Sequence, residues 1–460
     1  MKKEILISLV LLIFAVSCNV PKKHKDIEEG WKNMDAILER IKAPVFPDRV
    51  FDVTDYGAVA EGAICTDAFR KAIEACNEAG GGRVLVPKGE FLSGAIHLLS
   101  NVELHLVEEA TIKFSTNPKD YLPVVLTRFE GCELYNYSPL IYALEQENIA
   151  VTGKGVLDGQ ASLDNWWKWK GKNRDDAFSQ KEPNSNPRLL KMMMEGVPTE
   201  ERIFGDGYYL RPSFVQPYKC KNVLIEDITI IRPPMWMIHP VLSENITVRG
   251  VTVVSPDAPN GDGCDPEASK DILIEDCEFN TGDDCIAIKS GRNRDGYDIG
   301  IPTQNVIIRN CKMLDGHGGV VLGSETSGGV SNVYVYNCEM SSPNLERALR
   351  LKSNKIRGGV IENVFLRDIK VGVVNNAAIR INQNYHTKAA NSPIRYTTYR
   401  NIFVENMTCE KADYAIQIMG LEEHPIEIVK IINCTFNNIK KENILEFVNG
   451  LVLENVSIND

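Results

Sequence analysis

The sequence has little positive charge for its size and, after its first residues, no long apolar run. Its 62 acidic residues outnumber its 51 basic ones, for a net charge of -11. Binding to nucleic acid usually needs a basic face, so no nucleic-acid partner is expected. A membrane-spanning helix needs roughly 20 apolar residues, and no later segment supplies them. Any membrane contact is therefore expected at the N-terminus alone.

The cysteines lack the spacing of a metal site. No CxxC pair and no cluster of histidine and cysteine occurs, so neither a metal nor another cofactor is expected. Eleven cysteines follow Cys18, and disulfides among them are possible in an exported chain. Four of them, however, fall at one position of a repeat, which favours small buried side chains stacked in register. These four are Cys277, Cys311, Cys338 and Cys434.

The first 18 residues have a positive start, an apolar run and small residues before Cys18, the pattern of a lipoprotein signal peptide. An ordinary signal peptide is the alternative. We expect export to the periplasm or outer membrane of a Gram-negative bacterium, with a lipid on Cys18. Residues 19–45 read as a tether and a short helix, and residues 46–460 as one catalytic domain, expected to be a monomer.

A short strand-like theme recurs along the chain: Asn or Asp, alternating apolar residues, a polar pair, then an apolar residue or Cys. The period-2 alternation predicts a strand in each copy, and the variable intervals suit stacked coils with loops. An all-β, single-stranded parallel β-helix is therefore predicted. Copies occupy 222–228, 245–251, 271–277, 305–311, 332–338, 363–369 and 401–407.

Other segments complete this fold. The leading asparagines are expected to form a structural side-chain ladder at a turn. Residues 66–82 have helical apolar spacing and a glycine stop, which predicts a helix that caps the first coil. The stretches 161–211 and 292–304 are long insertions, and loops on one side of a solenoid commonly line its binding face.

Four segments depart from the strand theme in a way that folding alone does not require. In the first three, glycines flank the acidic or histidine residues and allow a ligand to approach the backbone, and the fourth carries basic residues. They are NGDGCDP (260–266), NTGDDCIAIKSG (280–291), DGHGGVVLGSE (315–325) and RALRLKS (347–353).

In this order, the four segments resemble glycoside hydrolase family 28, the polygalacturonase family. The resemblance extends from FDVTDYGA (51–58) to the last repeats and implies a right-handed parallel β-helix that hydrolyses α-1,4-galacturonan with inversion. It implies that Asp283 is the general acid, that Asp262 and Asp284 hold the water, and that His317 lies beside them. It implies that Arg350, Lys352 and Tyr385 contact the substrate. Lys289, which can extend the basic patch, and Asn260 are further candidate substrate contacts.

The residue chemistry agrees with these roles. Inverting hydrolysis needs a protonated and an ionised carboxyl about 6.5–9.5 Å apart, and repulsion among clustered aspartates raises the pKa of at least one. Arg350 and Lys352 share a strand face and suit a carboxylated sugar. Asp283 and Asp284 are adjacent, so both can face one cleft only if the backbone bends, and Gly282 allows that.

Some positions depart from the family pattern. Gly261 stands where the family usually has Thr, and Gly282 resembles bacterial and exo-acting members, so we expect an exo-acting polygalacturonase. A rhamnogalacturonan or substituted-galacturonan hydrolase, a calcium-dependent lyase and a non-catalytic pectin-binding protein are the alternatives. His239 is interpreted as either a cleft residue or a buried histidine. The tryptophans at 166, 167 and 169 are expected mainly to pack the insertion.

Overall fold

The computed structural model describes residues 24–172, 176–385 and 392–460. The predicted signal peptide, Cys18 and the tether up to residue 23 lie outside the described residues. Within the described ranges, no helix is both long and apolar enough to cross a membrane.

The strands stack in parallel along three faces of a solenoid, which we call faces A, B and C. Face A contains Val50–Asp52, Gly82–Val86, Val102–Leu106, Glu147–Gly153, Lys221–Glu226, Glu244–Arg249, Lys270–Glu275, Thr303–Arg309, Val330–Met340, Val360–Val373, Thr398–Met419, Ile426–Ile432 and Val448–Glu454. Face B contains Gly89–Ser93, Ala110–Phe114, Val156–Asp158, Thr229–Ile231, Thr252–Ser255, Glu278–Thr281, Lys312–Met313, Thr435–Phe436 and Ser457–Ile458. Face C contains Ile96–His97, Ile141–Leu144, Val215–Tyr218, Asp284–Ile288, Gly318–Gly323, Arg347–Lys352, Ala377–Asn382, Ile439–Lys441 and Ile444–Glu446.

The predicted repeats are confirmed as strands of face A. Ile246 aligns with Ile272, which in turn aligns with Val306 in the next coil. These side chains are buried in one continuous core that runs the length of the solenoid. The period-2 pattern therefore fixes which side chains point inward in every coil, and the predicted parallel β-helix is confirmed.

The leading asparagines form the predicted ladder. The Asn222 amide donates to the Asn148 side-chain oxygen at 2.8 Å, and Asn245 donates to Asn222 at 2.7 Å. These residues have positive φ, a conformation that asparagine tolerates better than most residues. Each rung is thus held by the neighbouring coil's asparagine.

All eleven cysteines in the described part of the chain are free and buried. The Cys277 thiol donates to the Glu275 carbonyl at 3.2 Å, and Cys311 makes the same contact with Arg309. The stacked-cysteine prediction is confirmed, and the disulfide alternative is not realised among these residues.

In the described part of the chain, four α-helices accompany the strands: α1 is Lys25–Arg40, α2 is Thr66–Glu78, α3 is Asn186–Glu195 and α4 is Asn293–Ile299. Helix α2 is the predicted cap of the first coil, and it buries Phe69, Ile73 and Cys76. The helix begins at Thr66, the first residue of the predicted segment, and its N-cap is Cys65. Short 3₁₀ helices occupy Val53–Tyr56, Pro118–Tyr121, Trp166–Lys170 and Thr199–Glu201.

Helix α1 packs on the outside of face A. Trp31 lies against Tyr334 and Phe365, and its indole N–H donates to Glu405 at 3.1 Å. Gly30 lies so close to Phe365 that an added Cβ would be 2.2 Å from the ring. The helix thus covers apolar side chains that face outward from successive coils.

Three inserted segments meet at one end of face C. They are an antiparallel hairpin of Val125–Phe129 and Cys132–Asn136, the insertion that carries α3, and the loop that leads into α4. The Asp295 carboxylate joins all three, because it accepts from the Arg202 guanidinium at 2.6 Å and from the Glu133 backbone N–H at 2.8 Å. The insertions at 161–211 and 292–304 were predicted, and the hairpin was not.

Candidate active site

Three aspartates converge on the outer side of face C. Asp262 lies in a loop, Asp283 at the corner between faces B and C, and Asp284 at the start of a face C strand. One oxygen of each lies within 4.8 Å of the others. This distance joins the nearest oxygens, whereas about 6.5–9.5 Å describes the separation of the two carboxyl groups of an inverting pair. The arrangement is a compact cluster of three carboxyl groups at one cleft.

Glycine permits the bend that brings Asp283 and Asp284 to one cleft. Strand Glu278–Thr281 ends before Gly282, and the next strand begins at Asp284. A Cβ on Gly282 would lie 2.4 Å from the Ala258 carbonyl oxygen, so no side chain fits there. The bend predicted at this position is confirmed.

The same packing explains the departure at Gly261. A Cβ there would lie 2.6 Å from the Ala258 Cβ and 2.9 Å from its carbonyl oxygen. Ala258 thus leaves no space for a threonine at position 261 or for a larger residue at 282. The two departures from the family pattern, Gly261 and Gly282, thus have one cause, because both glycines pack against Ala258.

Fixed cations accompany the aspartates. The Lys352 ammonium lies 2.5 Å and the Arg350 guanidinium 3.3 Å from the two oxygens of Asp284. The Lys289 ammonium lies 3.7 Å from Asp262. Arg350 and Lys352 do share a face, as predicted, but in the free protein both contact the Asp284 carboxylate. Together the three cations offset the repulsion within the aspartate cluster.

The proton distribution within the cluster is uneven. Burial and the charge of Asp283 raise the pKa of Asp262 to about 8. Burial alone would raise the pKa of Asp283 too, but the hydrogen bond and charge of His317 hold it below its ordinary value. The bond to Asp283, at 2.9 Å from Nδ1 to Oδ1, raises the pKa of His317 to about 9. As expected, one aspartate has a strongly raised pKa.

The aspartate with the raised pKa is not the one that the resemblance assigns as general acid. At neutral pH the free protein holds protons on Asp262 and on His317, while Asp283 is ionised. Coupled groups that share a proton release it as a unit, so the Asp283–His317 pair still carries one transferable proton. The site therefore has two proton sources beside the same cleft.

The remaining predicted binding residues line the cleft. The Tyr385 ring lies under the Arg350 and Lys352 charges, at 5.3 and 5.5 Å from its centroid. The Asn260 side-chain oxygen accepts from the Arg211 guanidinium at 2.8 Å and from the Lys170 ammonium. Both predicted residues thus lie at the cleft, each with charged neighbours.

Several charged residues near the cluster were not singled out from the sequence. Lys170 comes from the insertion, and Arg347 and Arg380 lie beside Arg350 on face C. Burial and the charges of Arg347 and Arg350 lower the pKa of Arg380 to about 10. Arg380 aligns with Arg350 in the next coil, so register with a known site residue was the signal that would have found it.

Two interpretations left open by the sequence are now decided. His239 is fully buried, and its ring nitrogens bond Glu267 at 2.8 Å and Gln216 at 2.9 Å. It is a buried structural histidine. Trp166 and Trp169 are buried against each other, with centroids 4.8 Å apart, so these tryptophans pack the insertion as predicted.

The cleft has a volume of about 720 Å³, and the aspartate cluster forms part of its lining. Glu130 of the hairpin, Met193 of α3 and Arg292 before α4 also line the cleft, beside Glu325 and Arg357, so the three inserted segments form part of its wall. Its size suits one or two sugar rings.

The aspartate cluster is also the only group of His, Cys, Asp or Glu side chains in the described residues with spacing suited to a metal ion. Carboxylates are the ligands that calcium prefers. Lys352, Arg350 and Lys289 already provide positive charge where a bound cation would provide it.

The sequence profile described as "Glycosyl hydrolases family 28" matches residues 206–454, more than half of the chain. The chain belongs to glycoside hydrolase family 28. The matched residues include all three aspartates, His317 and Tyr385. They also include the cations Lys289, Arg350 and Lys352. The earlier resemblance is confirmed at the level of the family.

Named relatives lie within the same family. The crystal structure of a hyperthermoactive exopolygalacturonase from Thermotoga maritima is 46% identical, covers 94% of this chain and 96% of its own, and superposes with a TM-score of 0.89. A probable polygalacturonase of Vitis vinifera is 26% identical over 94% of this chain and 82% of its own length. An exo-poly-alpha-D-galacturonosidase of Dickeya chrysanthemi is 28% identical over 81% of this chain and 64% of its own.

Proposed function

We propose that this family 28 hydrolase cleaves α-1,4-galacturonosidic bonds and releases galacturonate from a chain end. The observation that carries the proposal is the aspartate cluster with its cations, placed in a cleft whose wall the inserted segments partly form. Relatives named exopolygalacturonase and polygalacturonase support the same substrate. Although the chain as a whole is acidic, the cleft lining matches its five acidic side chains with five lysines and arginines, so the cleft lacks the negative excess of the whole chain.

In the proposed mechanism, Asp283 protonates the leaving glycosidic oxygen. His317 supplies the proton across the 2.9 Å bond to Asp283, because the ionised carboxylate has none of its own in the free enzyme. Asp284, fixed by Arg350 and Lys352, accepts a proton from the attacking water, and Asp262 orients that water. The uronate carboxylate binds beside Arg350, Lys352 and Tyr385.

We propose that the reaction inverts the anomeric configuration. A covalent mechanism needs a carboxylate oxygen free to attack the sugar. The Asp284 side chain is 1% exposed with both oxygens in ion pairs, and the Asp262 side chain is 4% exposed. Neither offers an oxygen for attack, whereas either can hold a water molecule. Proton NMR of the first product, before mutarotation, should show the β-anomer.

Product analysis tests the proposed activity. Purified enzyme without added metal, given polygalacturonate, should release saturated galacturonate as the first product, because an enzyme that acts from a chain end releases terminal units. A ladder of oligomers from the start would contradict exo action. Turnover of rhamnogalacturonan alone would mean that the enzyme is a rhamnogalacturonan hydrolase and not a polygalacturonase. Unsaturated products together with loss of activity in EDTA would indicate the lyase.

Asp283→Asn tests the assignment of the acid. Removal of the proton donor should lower kcat by about 10²–10⁴-fold, the usual worth of general acid catalysis. Asp257→Asn is the matched control, because Asp257 is exposed in the loop that precedes Asp262 and makes no described ion pair. If Asp283→Asn turns over every pectic substrate at the normal rate, the catalytic assignment fails. Retained binding without turnover in the wild type would favour a pectin-binding protein.

The location of the enzyme is a separate proposal. The N-terminal pattern supports export, lipidation of Cys18 and attachment to a membrane that faces the periplasm. We also propose that the catalytic domain acts as a monomer. Cys18→Ala should move the enzyme from the membrane fraction to the soluble periplasmic fraction. Light scattering of the purified domain should give the mass of one chain.

A further inference from the structure

Two carboxylates that the proposed mechanism does not use line the cleft where the inserted segments form its wall. Glu130 lies at the tip of the hairpin formed by Val125–Phe129 and Cys132–Asn136, and Glu325 follows the face C strand Gly318–Gly323. Both line the same cleft as the three aspartates. A buried carboxylate is costly unless it is paired, so its presence in a binding pocket calls for an explanation.

The hairpin tip is built to hold Glu130 at this place. Gly131 has positive φ, and a Cβ there would lie 2.9 Å from the Arg292 backbone nitrogen and 3.0 Å from Glu325. Its carbonyl accepts from the Arg292 N–H at 3.0 Å. The tip thus docks directly on Arg292 and Glu325, and glycine is what permits the approach.

Glu130 is fixed but still accessible from the pocket. Its carboxylate accepts from the Arg292 guanidinium at 2.9 Å and contacts the Asn186 amide at 3.4 Å, and its side chain remains 17% exposed. Burial alone would raise its pKa, but Lys170 and Arg292 hold that pKa below the ordinary value. Glu130 is therefore an ionised acceptor with a fixed position.

Glu325 lies one ammonium group away from the catalytic cluster. The Lys289 ammonium is 3.6 Å from a Glu325 oxygen and 3.7 Å from an Asp262 oxygen. The other Glu325 oxygen accepts from the Ser324 hydroxyl at 3.0 Å. Despite burial, Lys289 and Arg357 lower the pKa of Glu325 to about 2. A sugar bound over the aspartates thus has its far side against ionised carboxylates.

We propose that Glu130 and Glu325 read the non-reducing chain end, accepting hydrogen bonds from the hydroxyls of the terminal galacturonate. This inference rests on the proposed function and deepens it. An ionised carboxylate accepts but cannot donate, so it distinguishes the free 4-hydroxyl of a terminal unit from the ether oxygen of an internal one.

A change of substrate tests the inference on the wild-type enzyme. Trigalacturonate is compared with the trimer that has a 4,5-unsaturated non-reducing end, which lacks the 4-hydroxyl. A site that hydrogen-bonds a hydroxyl rejects an analogue without it, because its buried polar groups are left unpaired. We expect kcat/KM to be at least about tenfold higher for the saturated trimer.

Charge-neutral variants then assign the discrimination to these residues. Glu130→Gln and Glu325→Gln keep size and shape, and each should reduce the saturated-to-unsaturated ratio of kcat/KM at least about threefold, mainly by slowing the saturated trimer. Glu195→Gln is the control, because Glu195 is exposed at the end of α3, where it pairs with Lys191 at 3.8 Å. It should leave the ratio unchanged.

The outcomes separate this inference from the proposed function. If the wild type releases no galacturonate from either trimer, the proposed function fails. If it releases galacturonate at equal rates from both, the proposed function stands and the chain-end inference is overturned. If the variants slow both trimers equally, the two glutamates only hold the hairpin in place, and the inference is likewise overturned.

Discussion

Asp262 illustrates how a single residue can serve a site at the expense of the fold. The residue is 3% exposed, and its pKa of about 8 in the folded chain stands well above its ordinary value of 3.8. A carboxyl with a raised folded pKa stabilises the fold only below its ordinary pKa, and that stability is lost as pH rises toward the folded pKa. Between about pH 4 and pH 8, the ionisable group at this position increasingly destabilises the fold.

Asp262→Asn should therefore abolish turnover and stabilise the protein. The gain in melting temperature over the wild type should be larger at pH 8 than at pH 5, because the asparagine does not titrate. Thermal melts of both proteins at the two pH values measure the difference. An equal gain at both values would mean that the pKa of Asp262 is not raised.

His317 determines the alkaline limit of activity if it supplies the proton to Asp283. Its pKa of about 9 predicts that kcat/KM falls as pH rises through that value. His317→Gln can still donate a hydrogen bond to Asp283 but holds no transferable proton, so this alkaline limb should disappear along with most of the activity. A limb near pH 8 that survives in His317→Gln would instead identify Asp262 as the acid.

At the scale of the element, helix α1 depends on one large side chain. Trp31 packs on Tyr334 and Phe365, with the Arg367 guanidinium 4.4 Å from the ring centroid. Truncation of a buried Trp costs about 3–5 kcal/mol. Trp31→Ala should therefore speed hydrogen exchange in residues 25–40 by about a hundredfold or more, since each 1.4 kcal/mol is about tenfold.

Activity should be unaffected by that change, because α1 packs on face A and the cleft opens on face C. Lys32→Ala provides the control, because Lys32 is exposed on the same helix. Slow exchange in α1 of Trp31→Ala would show that other contacts suffice to hold the helix.

The sequence contained a signal for the docking of α1 that its strand pattern concealed. In the repeats of face A, the middle residue of each strand points outward, where alternation predicts a polar side chain. Five successive coils instead present apolar residues that align with one another: Leu273, Ile307, Tyr334, Phe365 and Phe403. An apolar outward row needs a cover, and the short helix predicted within 19–45 provides it.

At the scale of the whole molecule, the sequence predicts the repeated coils and the positions of two insertions, but it does not predict the hairpin or the contacts among the inserted segments. Every coil obeys the same period-2 rule, so the solenoid, the asparagine ladder and the stacked cysteines follow from pattern alone. The catalytic cluster follows from glycine-flanked motifs on consecutive coils. Glu130 could not be found this way, because the hairpin around it has no repeat, and only its contacts with Arg292 and Glu325 bring it to the cleft.

Helix α1 joins parts of the chain that are made at very different times. Asp26 at its start contacts Lys430, and Arg40 at its end donates to Asp271 at 3.0 Å. Its docking surface is complete only when coils near residue 430 have folded. In a chain synthesised or exported from its N-terminus, the helix emerges before the solenoid, and its docking surface stays incomplete until the last coils have folded. Among the described residues, those that appear first thus gain their partners last.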